Sequence, residues 1–163
     1  MVKGISHLGN IENSRTTSQV ARMQTTAAKG KCPLCNGNNF RKHNKVIWRG
    51  KYWRAWFNPF PYSGHSSHIV LATIAHITNF AELSPQAGLE WFMANQFLIK
   101  KYNLPGGGIV MRFGDNEYNA GTLFHCHSHI QVPDLTTFAI AVFYKDRDLG
   151  RFFANIAKRN KAA

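Results

Sequence analysis

Histidine occupies every second position from His125 to His129, and Gln131 continues the alternation. In a β-strand such residues share one face, with neighbours about 6.6 Å apart. A neutral imidazole can act as a nucleophile toward phosphorus, a metal ligand or a donor to phosphate. A nucleophilic imidazole needs its second ring nitrogen held by a hydrogen bond, commonly to a backbone carbonyl. We therefore expect a functional site here; the alternatives are a solvated polar face and a set of three metal ligands.

A second cluster begins with the pair Cys32 and Cys35, separated by Pro-Leu. This spacing is half of a zinc site, and thioredoxin-type redox motifs share it. Zinc requires two further ligands, for which His76 and His125 are candidates. The third cysteine, Cys126, is expected to pack in the core.

Composition limits the class of protein. The chain has 163 residues, 44% of them hydrophobic, which is typical of one globular domain. Three cysteines are too few for a disulfide-stapled secreted domain, and no apolar run approaches the ~20 residues of a membrane span. The first residues also contain no apolar signal-type segment. We expect a cytoplasmic protein without a membrane partner.

Positive charge is concentrated in the first third of the chain. Residues 1–60 contain eleven Lys or Arg and one acid, so 11 − 1 = +10 of the total +12 lies there. This asymmetry favours a polyanionic partner, whether a nucleotide, a nucleic acid or an anionic surface; the alternative is a basic tail that only adds solubility. We predict a basic flexible arm over 1–30, with room for a short helix around 18–28, and a folded domain over 31–163. Deleting the arm is expected to weaken binding of long polyanions and to spare turnover of small nucleotides.

The elements that must position these residues follow from apolar runs and turn residues. Gly50 centres a predicted hairpin, and Ser84-Pro85 has the residues of a helix start, with the helix running to about Asn103. Hairpins on both sides of one long helix predict an α+β fold with a mostly antiparallel sheet, one long helix and a C-terminal helix. The predicted strands are 46–48, 52–57, 69–74, 109–113, 124–132 and 137–144, and the closing helix is 146–160.

The long helix carries apolar residues on two sides. One stripe contains Leu89, Phe92, Met93 and Ile99, and a roughly opposite one contains Trp91, Leu98 and Tyr102. A helix that is apolar on two sides must be covered twice. We expect a second protomer of a homodimer to cover the second stripe; the alternatives are the C-terminal helix and the N-terminal arm.

With its upstream segment, the histidine motif resembles the signature of the histidine-triad (HIT) superfamily of nucleotide hydrolases and transferases. Residues 67–76 are similar to that family's upstream stretch, with His68 and His76 eight positions apart. The resemblance runs from about Cys32 to Pro133 and is greatest to the zinc-containing bacterial members. The segment 58–62, Asn-Pro-Phe-Pro-Tyr, is also similar to the dinucleoside-polyphosphate phosphorylase and hexose-1-phosphate uridylyltransferase branches.

The resemblance implies a HIT-like fold and a role for each matching residue. His127 matches the nucleophile, His129 a phosphate contact and His68 the histidine that approaches the nucleophile. Substrate-binding positions are Thr122, Asn58 and Gln131. The four implied ligands of a structural Zn²⁺ are Cys32, Cys35, His76 and His125.

Three departures from the family pattern bear on the substrate. Ser67 stands where the family has glycine before its first histidine. Ala120-Gly121-Thr122 replaces a Gly-Gln-Ser/Thr run, so a glutamine that contacts phosphate is missing. The loop between Asn58 and His68 is also longer than usual.

These features predict a nucleotide hydrolase or nucleotidyltransferase that acts at the α-phosphate of a small nucleotide derivative through a covalent nucleotidyl-histidine. The alternative is a zinc-containing nucleic-acid-binding or end-processing protein that uses the basic, aromatic hairpin at 42–56. The hairpin's aromatic residues could equally pack in the core. A purely zinc-sensing or redox role for the cysteines would leave His127 and His129 unexplained.

Overall fold

The computed structural model describes residues 5–6, 9–10, 14, 16–35, 40 and 44–136. The predicted strand 137–144 and the predicted closing helix 146–160 lie outside these residues. Among the described residues, no helix has both the length and the apolar run that a bilayer span requires.

Five antiparallel strands form one sheet, in the order β3 (Val46–Arg49), β4 (Trp53–Phe57), β5 (His65–Thr73), β7 (His127–Pro133) and β6 (Gly108–Arg112). A separate two-stranded ladder lies near the N-terminus, and a 3₁₀ turn, Phe80–Glu82, precedes the long helix. The predicted α+β fold, with its antiparallel sheet and its helix near 85–103, is confirmed. The strands are β1 Ile5–Ser6, β2 Gly9–Asn10, β3 Val46–Arg49, β4 Trp53–Phe57, β5 His65–Thr73, β6 Gly108–Arg112 and β7 His127–Pro133; the helices are α1 Thr17–Lys29, α2 Pro85–Lys101 and α3 Asn116–Asn119.

Helix α2 begins as its sequence predicts. The hydroxyl of Ser84 accepts a hydrogen bond from the Ala87 amide at 3.2 Å, and Pro85 takes the first helical position. The indole N–H of Trp53 donates to the Ala87 carbonyl at 2.8 Å. The Glu90 carboxylate accepts three backbone N–H groups of the β3–β4 turn, at 2.8 to 2.9 Å. These bonds fix the rotation of α2 against the sheet.

That rotation decides which apolar stripe of α2 is covered. Leu98 is fully buried, and the indole N–H of Trp91 donates to the Ser128 hydroxyl at 2.8 Å. The stripe of Trp91, Leu98 and Tyr102 therefore packs on the protein's own sheet, and the expectation that a second protomer covers it is wrong. On the opposite stripe, Leu89, Phe92 and Met93 are 54–60% exposed, whereas Ile99 packs against the core.

The sheet separates two apolar clusters. The cluster on the α2 side includes Cys126, which is buried as predicted. The cluster on the other side joins Cys32 to strand residues such as Val70. Because side chains alternate along β5 and β7, His68, His127 and His129 share the side of Cys32. The α2-side cluster is Trp53, Ala55, Ile69, Leu71, Ala94, Leu98, Cys126 and Ile130; the other is Cys32, Leu34, Phe40, Trp56, Val70 and Ala72.

The aromatic residues of the β3–β4 hairpin belong to the core. Trp53 is fully buried and Trp56 is 3% exposed. Arg54 is also buried, with its guanidinium carbon 3.9 Å from the centroid of the Phe40 ring. Burial withdraws these three side chains from any surface that could grip a nucleic acid.

Candidate functional site

The histidine strand begins later than predicted. β7 starts at His127 rather than at residue 124, so His125 precedes the strand, and its side chain reaches Cys32 on the same side of the sheet as His127. The physical reason lies in the backbone. The Cys126 carbonyl still accepts from the Thr73 N–H of β5, but the Cys126 N–H donates to the Ile77 carbonyl, outside the sheet, which ends regular β7 pairing. His125 is thereby directed to the cysteine pair.

Four side chains, Cys32, Cys35, His76 and His125, form a cluster whose ligand atoms all lie within 4.8 Å of one another. Cys35 Sγ lies 3.1 Å from His76 Nδ1 and 3.4 Å from His125 Nδ1. Cys32 Sγ lies 3.5 Å from His125 Nδ1, and the two Nδ1 atoms are 3.3 Å apart. Tetrahedral zinc separates a sulfur from a nitrogen by about 3.5 Å and two nitrogens by about 3.3 Å. The donor types and their spacing therefore fit a tetrahedral zinc ion.

Hydrogen bonds prepare His125 as a ligand. Its Nε2–H donates to the Thr73 carbonyl at 2.9 Å, which leaves the Nδ1 lone pair facing the sulfurs. Burial lowers the pKa of His125 to about 4, so the ring is neutral near pH 7, as a metal ligand must be. Burial also raises the pKa of Cys32 to about 12, so a bound cation would have to displace the thiol proton.

His127, the first residue of β7, has one ring nitrogen committed to the backbone. Its Nδ1–H donates to the carbonyl oxygen of His125. This bond assigns the Nε2 lone pair to the side of the ring that can react. The side chain lines the pocket described below. A nucleophilic imidazole requires such a backbone bond, and the carbonyl of His125 supplies it.

His68 and His129 form a hydrogen-bonded pair next to His127. His68 Nε2 lies 2.8 Å from His129 Nδ1, and the two rings are 7% exposed or less. The backbone N–H of Tyr62 points to His68 Nδ1 at 3.4 Å, which makes Nδ1 the acceptor and Nε2–H the donor to His129. His129 then carries its own proton on Nε2. The ring centroids of His127 and His129 are 5.1 Å apart, so that N–H lies beside the reactive imidazole.

The loop between β4 and β5 holds this pair from one side. Tyr62 stacks on His68 with ring centroids 5.0 Å apart. The Arg112 guanidinium donates to the Tyr62 hydroxyl at 3.1 Å and to the Ala120 carbonyl at 3.2 Å. Asn58 accepts from the Phe60 N–H at 3.0 Å and places its amide nitrogen 3.2 Å from both ring nitrogens of His68. Asn58 thus lies directly against the histidine pair.

Thr122 is positioned by a tight turn after α3. The Gly121 N–H donates to the Asn119 side-chain oxygen at 2.6 Å. A Cβ at Gly121 would lie 2.6 Å from that oxygen and 2.8 Å from the Asn116 side-chain oxygen, so a larger residue would displace these two side chains. The preceding Ala120 has a φ of 52°, a strained value for a residue with a side chain. The turn places Thr122 on the pocket wall.

A pocket of about 720 Å³, open to solvent, brings most of the predicted site together. His127, His129, Thr122 and Asn58 line it, and His68 lies directly behind His129. Gln131 is buried beside His68 in the sheet and is not among the lining residues; its predicted role in substrate binding stays a prediction. The lining is Gln19, Arg22, Met23, Pro33, Leu34, Asn44, Trp56, Asn58, Pro59, Phe60, Tyr62, Val70, Arg112, Thr122, Leu123, His127 and His129.

Several pocket residues were not predicted from the sequence. Gln19, Arg22 and Met23 come from α1, inside the segment predicted to be an arm. Their spacing of i, i+3 and i+4 defines one helix face, and that spacing was the available signal. Arg112 ends a strand of otherwise apolar residues, an unusual place for a cation. The predicted helix around 18–28 is confirmed by α1.

Comparison with known proteins supports the fold. No family model matches the sequence, and no curated protein matches it. Solved structures do match. A HIT family hydrolase from Legionella pneumophila Philadelphia 1 is 15% identical, with a TM-score of 0.52 over 64% of this chain and 93% of that one. A HIT family hydrolase from Clostridium thermocellum is 16% identical, with a TM-score of 0.52 over 67% and 95%. The chain therefore has a HIT-like fold.

Proposed function

We propose that the protein is a HIT-type enzyme, a nucleotide hydrolase or nucleotidyltransferase that acts at the α-phosphate of a nucleotide derivative. One observation carries this proposal. His127 has its Nδ1–H bound to a backbone carbonyl while its ring faces a pocket beside His129, whose Nδ1 accepts from His68. That arrangement orients a nucleophilic lone pair and a neighbouring N–H donor toward the same space. The HIT family hydrolases of similar fold support the assignment.

The reaction has two balanced steps. First, the Nε2 lone pair of His127 forms a bond to the α-phosphorus while the bond from phosphorus to the leaving group breaks, and the leaving group takes that electron pair. The carbonyl of His125 stabilises the positive charge that develops on the ring. Second, water or phosphate attacks the phosphorus, the P–N bond breaks, and its electron pair returns to His127 as the nucleotide departs; the proton that an attacking water loses passes to solvent.

Two donors serve the phosphate during both steps. His129 Nε2–H and the Thr122 hydroxyl can donate to non-bridging oxygens, on which charge grows in the transition state. His68 positions His129 and keeps its proton on the side of the substrate. One such donor contributes about 10²–10³ in kcat.

The Cys32, Cys35, His76 and His125 cluster would hold a structural Zn²⁺. With four protein ligands such a site is closed and stabilises the fold. We assign it no part in bond making. His125 belongs to the cluster through its side chain and to the reactive centre through its carbonyl, so the cluster supports the position of His127.

The remaining expectations concern partners and location. We propose a homodimer whose contact is the exposed stripe of Leu89, Phe92 and Met93, because that stripe is the apolar side of α2 left uncovered by the described residues. We propose a cytoplasmic location. From the motif, we also propose membership in the zinc-containing branch of the HIT superfamily. Nucleic-acid binding or end processing is the weaker second function, since Trp53, Trp56 and Arg54 are buried.

Product analysis tests the function. Wild-type protein is incubated with dinucleoside polyphosphates, nucleoside phosphoramidates and nucleotide sugars, with and without phosphate, and the products are identified by mass. Release of a nucleoside monophosphate, or of a diphosphate when phosphate is present, is expected. The matched variants are His127→Ala and His65→Ala, since His65 is a nearby histidine outside the pocket lining. Equal turnover by both variants would contradict the proposal.

A further inference from the structure

Helix α1 forms one wall of the pocket that holds the reactive histidines. Gln19, Arg22 and Met23 all line it, on one face of the helix. Met23 is 5% exposed and anchors that face, whereas Gln19 and Arg22 are half-buried with polar ends in the lining. The contact brings a segment distant in sequence to the same pocket as His127 and His129.

Gln19 reaches the position that contacts the reacting phosphate. Its amide nitrogen donates to the Thr122 hydroxyl at 3.4 Å, a long hydrogen bond. An anionic oxygen bound beside Thr122 would accept from this N–H more strongly than a neutral hydroxyl does. Gln19 therefore supplies, from another segment, an amide donor like the glutamine that is absent before Thr122 in sequence.

Arg22 supplies positive charge to the same wall. Its guanidinium carbon lies 5.9 Å from the centroid of the Phe60 ring. The described residues that line the pocket include two guanidinium groups, Arg22 and Arg112, and no carboxylate. Arg112 donates to Tyr62 and Ala120 and so holds the loop. Arg22 lies on the pocket wall, in a partly desolvated site where charge attraction to a phosphate is strong.

We propose that Arg22 binds a substrate phosphate beyond the one that His127 attacks, with Gln19 beside it as a donor next to Thr122, so that α1 selects nucleotides with two or more phosphates. This inference rests on the proposed function of the pocket. His129 and Thr122 already serve the reacting phosphate, and a single phosphate leaves no need for a further cation. It reverses the expectation that residues 1–30 are dispensable for small nucleotides.

Binding of adenosine monophosphate and of the α,β-methylene analogues of the di- and triphosphate to the full chain tests the proposal without turnover, because the carbon bridge cannot be displaced. Calorimetry is run on the metal-loaded wild type, Arg22→Ala, Arg22→Lys and Gln19→Ala. Lys29→Ala and Gln24→Ala are matched controls, because both residues are exposed, lie on α1 and are outside the pocket lining. A hydrogen bond to a charged group contributes enough for Arg22→Ala to weaken the di- and triphosphate about 10–100-fold. The monophosphate should change less than about 3-fold, and Arg22→Lys should recover part of the loss.

Three results would overturn the proposal. In the first, Arg22→Ala loses affinity equally for all three nucleotides, which would indicate a structural role. In the second, Arg22→Ala loses no more affinity than the Lys29→Ala control. In the third, the wild type binds no nucleotide. The outcome is separable from that of the proposed function. If phosphate selection follows Arg22 while His127→Ala keeps full turnover, the proposed function fails and this inference stands. If His127→Ala is inactive and Arg22→Ala binds all three nucleotides as the wild type does, the proposed function stands and this inference fails.

Discussion

Replacing His68 separates positioning from direct chemistry at the histidine pair. His68 Nε2–H donates to His129 Nδ1 at 2.8 Å, and this bond assigns the His129 proton to Nε2. In His68→Ala the donor is lost, and His129 can carry its proton on either nitrogen. In His68→Gln the side-chain amide offers an N–H from a similar distance.

The size of the expected loss in kcat follows from the groups that remain in His68→Ala. His129 is still present in His68→Ala, so the loss in kcat should be smaller than the 10²–10³ for removing a donor outright; we expect about 10–100-fold. The His68 ring is 3% exposed and stacks on Tyr62, so truncation should also lower the free energy of unfolding by about 1–3 kcal/mol.

Steady-state turnover of a dinucleoside polyphosphate, corrected for the folded fraction by circular dichroism, measures the effect. His68→Gln should recover most of the kcat that His68→Ala loses, with KM nearly unchanged. His65→Ala, which removes the neighbouring ring at 5.8 Å, is the control and should behave as the wild type. Wild-type kcat in His68→Ala, or an equal loss in both His68 variants, would refute the positioning argument.

Three further predictions concern stability. Glu90→Ala leaves three backbone N–H groups of the β3–β4 turn without their carboxylate and should lower the free energy of unfolding by about 2–4 kcal/mol in urea titrations; an unchanged midpoint would contradict this. In the metal-free protein, the unfolded chain protonates His125 near its ordinary pKa of 6.5, while the folded chain does so only near pH 4. Stability should therefore be full above pH 6.5 and fall by about 3 kcal/mol toward pH 4, and His125→Asn should lose this dependence. Freshly purified protein should contain about one zinc per chain by elemental analysis, and chelation should lower stability more than it lowers chemistry per folded molecule; absence of zinc would refute the site.

Local chemistry made much of the fold predictable. Ser84 caps the first turn of a helix with a hydrogen bond, and Pro85 fits the backbone of its first position, so α2 begins where the sequence predicts. Gly50 lies between β3 and β4 as the turn residue of the predicted hairpin. The His127 and His129 side of β7 follows from strand alternation alone. In each case neighbours in sequence decide the conformation.

Contacts between distant segments account for what the sequence did not predict. His125 precedes the strand because the N–H of its neighbour Cys126 donates to Ile77, a residue about fifty positions away. The covered stripe of α2 depends on Glu90 meeting the β3–β4 turn, and both stripes are apolar in sequence. Helix α1 reaches the pocket through Met23, although its segment is polar overall. The periodicity of apolar residues shows which face of a helix is apolar, but it does not show which segment packs against that face.

The central claim is that His127 carries the nucleotide covalently. Wild-type protein and His127→Ala are mixed with a dinucleoside polyphosphate, quenched rapidly without acid and examined by intact-mass spectrometry, with peptide mapping of any adduct. The account predicts a nucleotide-sized mass increase on the wild type alone, mapped to His127, and a loss of several orders of magnitude in kcat for the variant. An adduct on another residue, or full activity in His127→Ala, would contradict it.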